Sequence, residues 1–416
     1  MRSISGGCLG VSWRLAALMC ASSFACAGQT QVTDPNSQPK AEPKPWLELY
    51  GFAQLDVIYD FRVVNPDWFD VVRPTKLPSF NGEFGANSNT YFSVRQSRFG
   101  AKSEYPTSLG TLKTTFEFEL FGTGAQAGQT TFRLRHAYGE LGHFGGGQYW
   151  STFVDTDAFP NTMEYWGPPG LPWFRNVQLR WMPIMGDSRV TIAIERPGAA
   201  ADQGIYADRI GLQNVKAHFP APDFIAEGRL GKKWGYVRGA GLLRRIEWKD
   251  TGTHPPDISD GVWGWGVTVS SNLKTYKDDV IKLSGVYGRG VENYMNDAPE
   301  DIGAVPNPGN TVRPVTGRAI PMLGISAYYD HYWSKKVSSS FGYSRISVSN
   351  TSGQNASDFR VGQYASMNLL FTPVKNFTSG AEYIYGYRRN YRDNWHVPDH
   401  RMQFVFKYNF SYRMGG

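Results

Sequence analysis

The sequence predicts an all-β chain, a transmembrane antiparallel β-barrel of about 16 strands, from three observations. Apolar and polar residues alternate with a period of two in segment after segment. The connections between those segments alternate between short and long. Beyond the first residues there is no apolar run long enough for a membrane helix, and no cysteine to staple a small core.

The alternation is clearest at the two ends of the chain. In Leu47–Asp60, Leu47, Leu49, Ala53, Leu55, Val57 and Tyr59 share one face, and Glu48, Gln54, Asp56 and Asp60 share the other. In the last segment Met402, Phe404, Phe406, Tyr408 and Phe410 alternate with Arg401, Gln403, Lys407 and Asn409. A half-buried strand produces this pattern and a helix does not. Such segments are expected near 46–60, 90–104, 111–121, 130–141, 146–152, 174–182, 188–196 and 223–230. Others follow near 235–249, 262–273, 279–289, 321–333, 337–348, 359–371, 377–389 and 399–410. An even count near sixteen is the size that encloses a water channel.

Short connections (105–110, 142–145, 183–187, 231–234, 334–336 and 372–376) interleave with long ones (61–89, 153–173, 197–222, 250–261 and 290–320). Short periplasmic turns and long extracellular loops are how bacterial barrels are built. Trp46, Tyr91, Trp150, Trp181, Trp234, Trp248 and Trp333 lie near strand ends, where interfacial belts form. A soluble sandwich or propeller would have to leave many charged inner faces unpaired in a dry core.

Arg2, Arg14 and the apolar stretch Leu15–Phe24 precede Ala25-Cys26-Ala27, so residues 1–27 read as an export signal cleaved after Ala27. The rival lipoprotein reading, with Cys26 at the mature N-terminus, lacks the leucine expected within Ser23-Phe24-Ala25. Cys8, Cys20 and Cys26 all fall in that signal. Residues 28–45 form a Pro-rich periplasmic linker, 46–410 the barrel and 411–416 a tail. The mean hydropathy of −0.40 fits strands with one polar face. The formal charge of +7 falls to about +5 without Arg2 and Arg14, compatible with attracting anions, and no Lys/Arg run points to nucleic acid.

There is no H-E-x-x-H, G-x-S-x-G or P-loop pattern, so neither an enzyme nor a cofactor is expected. His396 and His400 flank Pro398 and do not read as a metal site. Function is then pore diameter and lumen charge. Arg133 and Arg135 share a face, Arg98 and Lys102 share another, and Arg180 stands with Asn176 and Gln178; Arg401 and Lys407 also share parity. Arg95 has the opposite parity to Arg98, so at most one of the two faces the lumen unless a bulge intervenes. These arginines either select anions or pair with Glu48, Asp56, Glu117, Glu119 and Glu382 as wall filler. The 151–172 segment, rich in Pro and aromatics, carries Asp155, Asp157 and Glu164 and is too long for a hairpin turn.

The chain resembles the DcaP-like porins in LYGFAQLDVIYDF (49–61), RQSRFGAK (95–102), the long piece 133–170, GAGLLRRIEW (239–248) and VYGRGVENYMND (286–297). DHYWSKKVSSSFGYSR (330–345) and TPVKNFTSGAEYIYGYRR (372–389) add to the likeness. The resemblance implies a trimeric Gram-negative outer-membrane channel passing small dicarboxylates. It also implies that the 151–172 loop folds into the pore, with its acids facing basic wall residues across a transverse field. Expected partners are outer-membrane lipid, small anionic solutes, two further copies of the chain, and the barrel-assembly machinery through the C-terminal strand. A general or phosphate-type anion porin and a closed structural or adhesin barrel are the alternatives. Two features depart from the family pattern: the Pro-rich linker stands where a longer helical segment is often found, and six residues follow Phe410.

Overall fold

The computed structural model describes residues 44–252 and 257–416. The expected signal, its cysteines and the linker as far as residue 43 lie outside them. Sixteen antiparallel strands close into a barrel. They are β1 (Trp46–Asp60), β2 (Asn89–Ser93 continued by Arg98–Thr107), β3 (Gly110–Phe121), β4 (Thr130–Leu141), β5 (Phe144–Trp150) and β6 (Arg175–Ile184). Next come β7 (Arg189–Glu195), β8 (Asp223–Lys232), β9 (Gly235–Asp250), β10 (Asp260–Lys274) and β11 (Val280–Arg289). The wall ends with β12 (Pro321–Tyr332), β13 (Val337–Val348), β14 (Phe359–Phe371), β15 (Phe377–Asn390) and β16 (His396–Gly415). Each strand pairs with its successor, and β1 pairs with both β2 and β16.

The period of two becomes an outside and an inside. On β1, Leu47, Leu55 and Tyr59 are exposed on the outer face while Gln54, Asp56 and Asp60 are buried toward the lumen. A bilayer leaves no water for backbone groups, and closure satisfies them strand to strand. Charges turned inward are neutralised in pairs, as with Arg401 and Asp60 at 2.5 Å or Arg95 and Asp70 at 2.6 Å.

Two local irregularities re-aim side chains. The backbone of β2 breaks at residues 94–97, where Ser97 N–H bonds back to the Val94 carbonyl at 3.0 Å. The break turns both Arg95 and Arg98 inward despite their opposite parity. On β4 the register with β3 shifts beside Glu117, so Arg133 and Arg135, and then His136 and Tyr138, all face inward.

One boundary differs from the sequence reading. The last strand does not stop at Phe410: Ser411–Gly415 continue it and pair with Trp46–Tyr50. The polar and small residues of the supposed tail carry little outward apolar signal, but their backbone groups are the ones β1 needs to complete its ladder.

Turns at one end are short, as between Thr107 and Gly110 or Leu141 and Phe144, and loops at the other end are long. Two of the long loops fold inward. Loop 61–88 enters the mouth against β14 and β15, where Arg388 donates to the Thr75 and Leu77 carbonyls at 3.0 and 3.2 Å. A Cβ on Gly386 would stand 2.6 Å from Val72, and one on Gly362 the same distance from Pro74. Glycines let that loop lie close to the wall.

Candidate functional site

The loop between β5 and β6, residues 151–174, crosses the barrel interior and is tied to several parts of the wall. At its start Ser151 Oγ and Thr152 N–H donate to Glu195 of β7 at 3.0 and 2.8 Å. Next, Asp155 accepts from Tyr236 of β9 at 2.7 Å and Ser270 of β10 at 2.5 Å. On the far side, Met163 and Glu164 N–H donate to Glu382 of β15 at 2.7 and 2.9 Å. Returning, Tyr165 Oη donates to Glu119 of β3 at 2.5 Å, and Gly170 N–H donates to Ser344 of β13 at 2.9 Å.

The wall facing Tyr165 carries the densest charge. Glu117 and Glu119 project from β3 on adjacent inward positions. Arg135 lies between them, with Nε 2.5 Å from Glu117 and Nη1 bonded to Glu119. Arg175 reaches Glu119 at 3.3 Å and Arg133 at 3.5 Å. Arg98 stands 3.6 and 3.7 Å from the two carboxylates. Four guanidiniums around two carboxylates leave a net positive cluster. Arg135 is 5% exposed and spent on the wall, whereas the Arg98 and Arg133 side chains are 24% and 29% exposed and only loosely held.

Two cavities meet at this cluster. One of about 700 Å³ is lined by Arg98, Lys102, Arg135 and Lys407 against Glu117 and Glu164. The other, of about 600 Å³, is lined by Arg73, Arg133 and Arg175 against Glu292. They share Trp150, Tyr165 and Trp173. Trp150 and Trp173 contact at 4.3 Å between ring centroids, and Phe159 joins Trp173 at 4.2 Å. Aromatic rings and the Arg98–Arg133–Arg135–Arg175 cluster thus bound the junction between the cavities.

The residues singled out in the sequence are placed as follows. Arg98, Lys102, Arg133 and Arg135 line one cavity or the other, Lys102 also bonding Glu48 at 3.2 Å. Arg180 lines neither; it donates to the Trp150 carbonyl at 2.7 Å and lies over Tyr138 and Tyr149. Of the loop acids, Glu164 lines the larger cavity with Arg98, Lys102 and Arg135, whereas Asp155 and Asp157 line neither. Asp155 is bonded to β9 and β10, and Asp157 is paired with Arg229 of β8. Glu164 accepts from Val72 N–H at 3.0 Å, Gly167 N–H and Tyr364 Oη at 3.3 Å. A carboxylate carried into a packed lumen must find donors, and these three find them in the far wall and the loop backbone. The acids beside the arginines are Glu117 and Glu119, on the same wall. Arg73 and Arg175 were not singled out: one lies in loop 61–88 and the other opens β6, where alternation with the rest of the strand does not constrain it. Arg401, which shares parity with Lys407, is buried against Asp60. Among the described residues no His/Cys/Asp/Glu group could hold a metal ion.

Burial pushes the Glu164 carboxyl up to about 8, against the pull of its backbone bonds to Gly167 and Val72 and of Arg401, with Glu382 adding to the rise. The folded loop therefore favours the neutral form. That contribution is complete below the ordinary carboxyl range and is lost as pH rises through about 8. Single-channel records should grow noisier between about pH 6 and 9 as the loop anchor ionises, and Glu164→Gln should abolish the change. Pore noise indifferent to pH in the native chain would contradict the assignment.

The family described as DcaP outer membrane protein matches residues 26–234, half of the chain. The chain belongs to this family. The outer-membrane channel DcaP of Acinetobacter baumannii superposes with a TM-score of 0.71 at 20% identity, covering 88% of this chain and 97% of that one. The trimer form of Vibrio cholerae OmpT gives 0.53 at 14% identity, with 88% and 99% covered. An anion-selective porin of Comamonas acidovorans gives 0.54 at 9% identity, with 88% and 100% covered. At these identities the three show a shared fold. No curated protein matches the sequence. The DcaP family and these neighbours are outer-membrane channels and porins rather than enzymes.

Proposed function

We propose that this member of the DcaP family is a passive channel favouring small anions, dicarboxylates among them. The observation that carries the reading is the arginine cluster at the junction of the two cavities, where the Arg98 and Arg133 side chains stay partly exposed. A guanidinium fork binds a carboxylate at two points, and arginines on both sides of one narrowing suit a solute with two carboxylates. The inward loop 151–174 sets the width, and Glu117 and Glu119 keep the cluster from holding an anion too tightly to release it.

The working assembly in this reading is a homotrimer. The outward positions of β2 to β4 and of β16 carry Phe92, Phe99, Phe116, Phe132, Phe404, Phe406 and Phe410, all exposed, an aromatic sector suited to other copies of the chain. Export through residues 1–27 and recognition of β16 by the assembly machinery belong to the same proposal.

The test is the reversal potential of the protein in a planar bilayer under a salt gradient. Anion preference is expected, with conductance steps in threes. A unit charge roughly 6 Å from the path in water, with salt screening roughly halving its pull on an anion and its push on a cation, contributes about 0.7 kcal/mol to the difference between the two, so the Arg98→Gln/Arg133→Gln pair should lower the anion-to-cation permeability ratio about tenfold. Cation preference in the native chain, or an unchanged ratio in the double variant, would sink the reading.

A further inference from the structure

The outer face at the long-loop end carries a second group of arginines that the pore does not use. Arg345 on β13, Arg360 on β14 and Arg389 on β15 point outward and are exposed. Arg345 pairs in register with Gln363, and Arg389 with both Val361 and His396. All three therefore lie within a few residues of the extracellular ends of neighbouring strands. Strands sit about 4.8 Å apart, so the outer two are roughly 10 Å from each other across the sheet.

Among the described residues none of these three guanidiniums has a carboxylate oxygen within the 4.0 Å of an ion pair. Their one hydrogen bond to protein there is a long one, from Arg360 to the Tyr391 carbonyl at 3.4 Å. This contrasts with the lumen, where arginines are paired with acids. The outward faces of β2 to β4 carry phenylalanines and no arginine.

What lies around the three sets the chemistry of the occupant. Tyr343, Tyr385 and Tyr387 stand on the same outer face, the level at which phenols meet lipid headgroups. Toward the barrel middle the face continues as Phe341, Met367 and Leu369, exposed at 48%, 58% and 53%. An occupant must satisfy both parts: an anionic head on the guanidiniums and apolar chains along the wall beneath. A soluble anion lacks the second, and a protein surface would need acids beside a hydrocarbon-facing strip.

We infer that Arg345, Arg360 and Arg389 form a binding site for the phosphate-bearing headgroup of a lipid in the leaflet facing the long loops. Guanidinium–phosphate bonds are charge-assisted and two-pronged, and basic residues at a membrane surface add to the attraction of anionic lipid.

The probe is diphosphorylated lipid A, presented to the detergent-solubilised protein and quantified by native mass spectrometry, with the dephosphorylated lipid as comparison. The Arg345→Gln/Arg360→Gln/Arg389→Gln variant should bind lipid A at least about tenfold more weakly, with conductance unchanged. Lys233→Gln/Lys335→Gln/Lys336→Gln removes equal charge from the opposite rim and should bind normally. Undiminished binding by the arginine variant, equal loss in both variants, or equal binding of the dephosphorylated lipid would overturn the site. A change of oligomeric state with lipid binding intact would assign the patch to a subunit contact instead. Should the arginine variant fail to fold, the native chain still decides: its affinity for lipid A must fall as salt rises, and a salt-insensitive affinity rejects the inference.

Discussion

Glu119→Gln is expected to make the pore more anion-selective and less stable at once. The carboxylate is buried, with Arg98, Arg133, Arg135 and Arg175 around it and Tyr165 donating at 2.5 Å. Removing its charge leaves Arg98 and Arg135 sharing Glu117 and takes from Arg133 and Arg175 their carboxylate partner. Breaking a buried charge group by removing one partner costs about 3 to 5 kcal/mol, because the remaining cations keep their desolvation cost. The same change adds a net positive charge beside the junction, which at about 0.7 kcal/mol should raise the anion-to-cation ratio roughly threefold. Thermal unfolding in detergent and the reversal potential measure the two effects. Raised selectivity without lost stability would mean that the cluster is more hydrated than its burial indicates. Lost stability without altered selectivity would remove it from the permeation path.

Gly170→Ala should widen the pore. A Cβ there would overlap the carbonyl oxygens of Ile325 and Arg345 and stand 2.7 Å from Ser344 Oγ. Backbone on two neighbouring wall strands cannot retreat as a flexible side chain can, so the loop must lift. Overpacking of this kind costs about 1 to 3 kcal/mol, comparable to the hydrogen bond that Gly170 N–H makes to Ser344. The loop carries Tyr165 and Trp173, two of the three residues shared by both cavities. Its displacement should merge the cavities, raising single-channel conductance and weakening selectivity together. Unchanged conductance in a folded Gly170→Ala barrel would show that another element sets the width.

The strands were legible because a barrel wall obliges every second side chain to face lipid, and Leu47, Leu55 and Tyr59 record that obligation in order. Parity likewise brought Arg98, Lys102, Arg133 and Arg135 to the lumen. It failed where the backbone departs from a regular ladder: at 94–97, which turns Arg95 inward as well, and at the start of β6, which places Arg175. The partners of Asp155, Asp157 and Glu164 depend on the path of a loop through the interior, which no periodicity encodes. Loop 61–88 posed the same difficulty, and with it Arg73. Ser411–Gly415 were illegible for another reason: their contribution is made by backbone amides, which every residue but proline possesses.

The seam between β1 and β16 also constrains the order of folding. It joins residues from opposite ends of the barrel domain, from Trp46 with Gly415 to Asp60 with Arg401. Pairings so distant in sequence carry the largest loop-closure entropy in the wall. Until they form, two long, sticky edges stand open, each a template for the wrong neighbour. Of all the ladders in the wall, this one should zip last, and a chaperone or insertion machine that shields either edge would govern yield more than any residue in the pore.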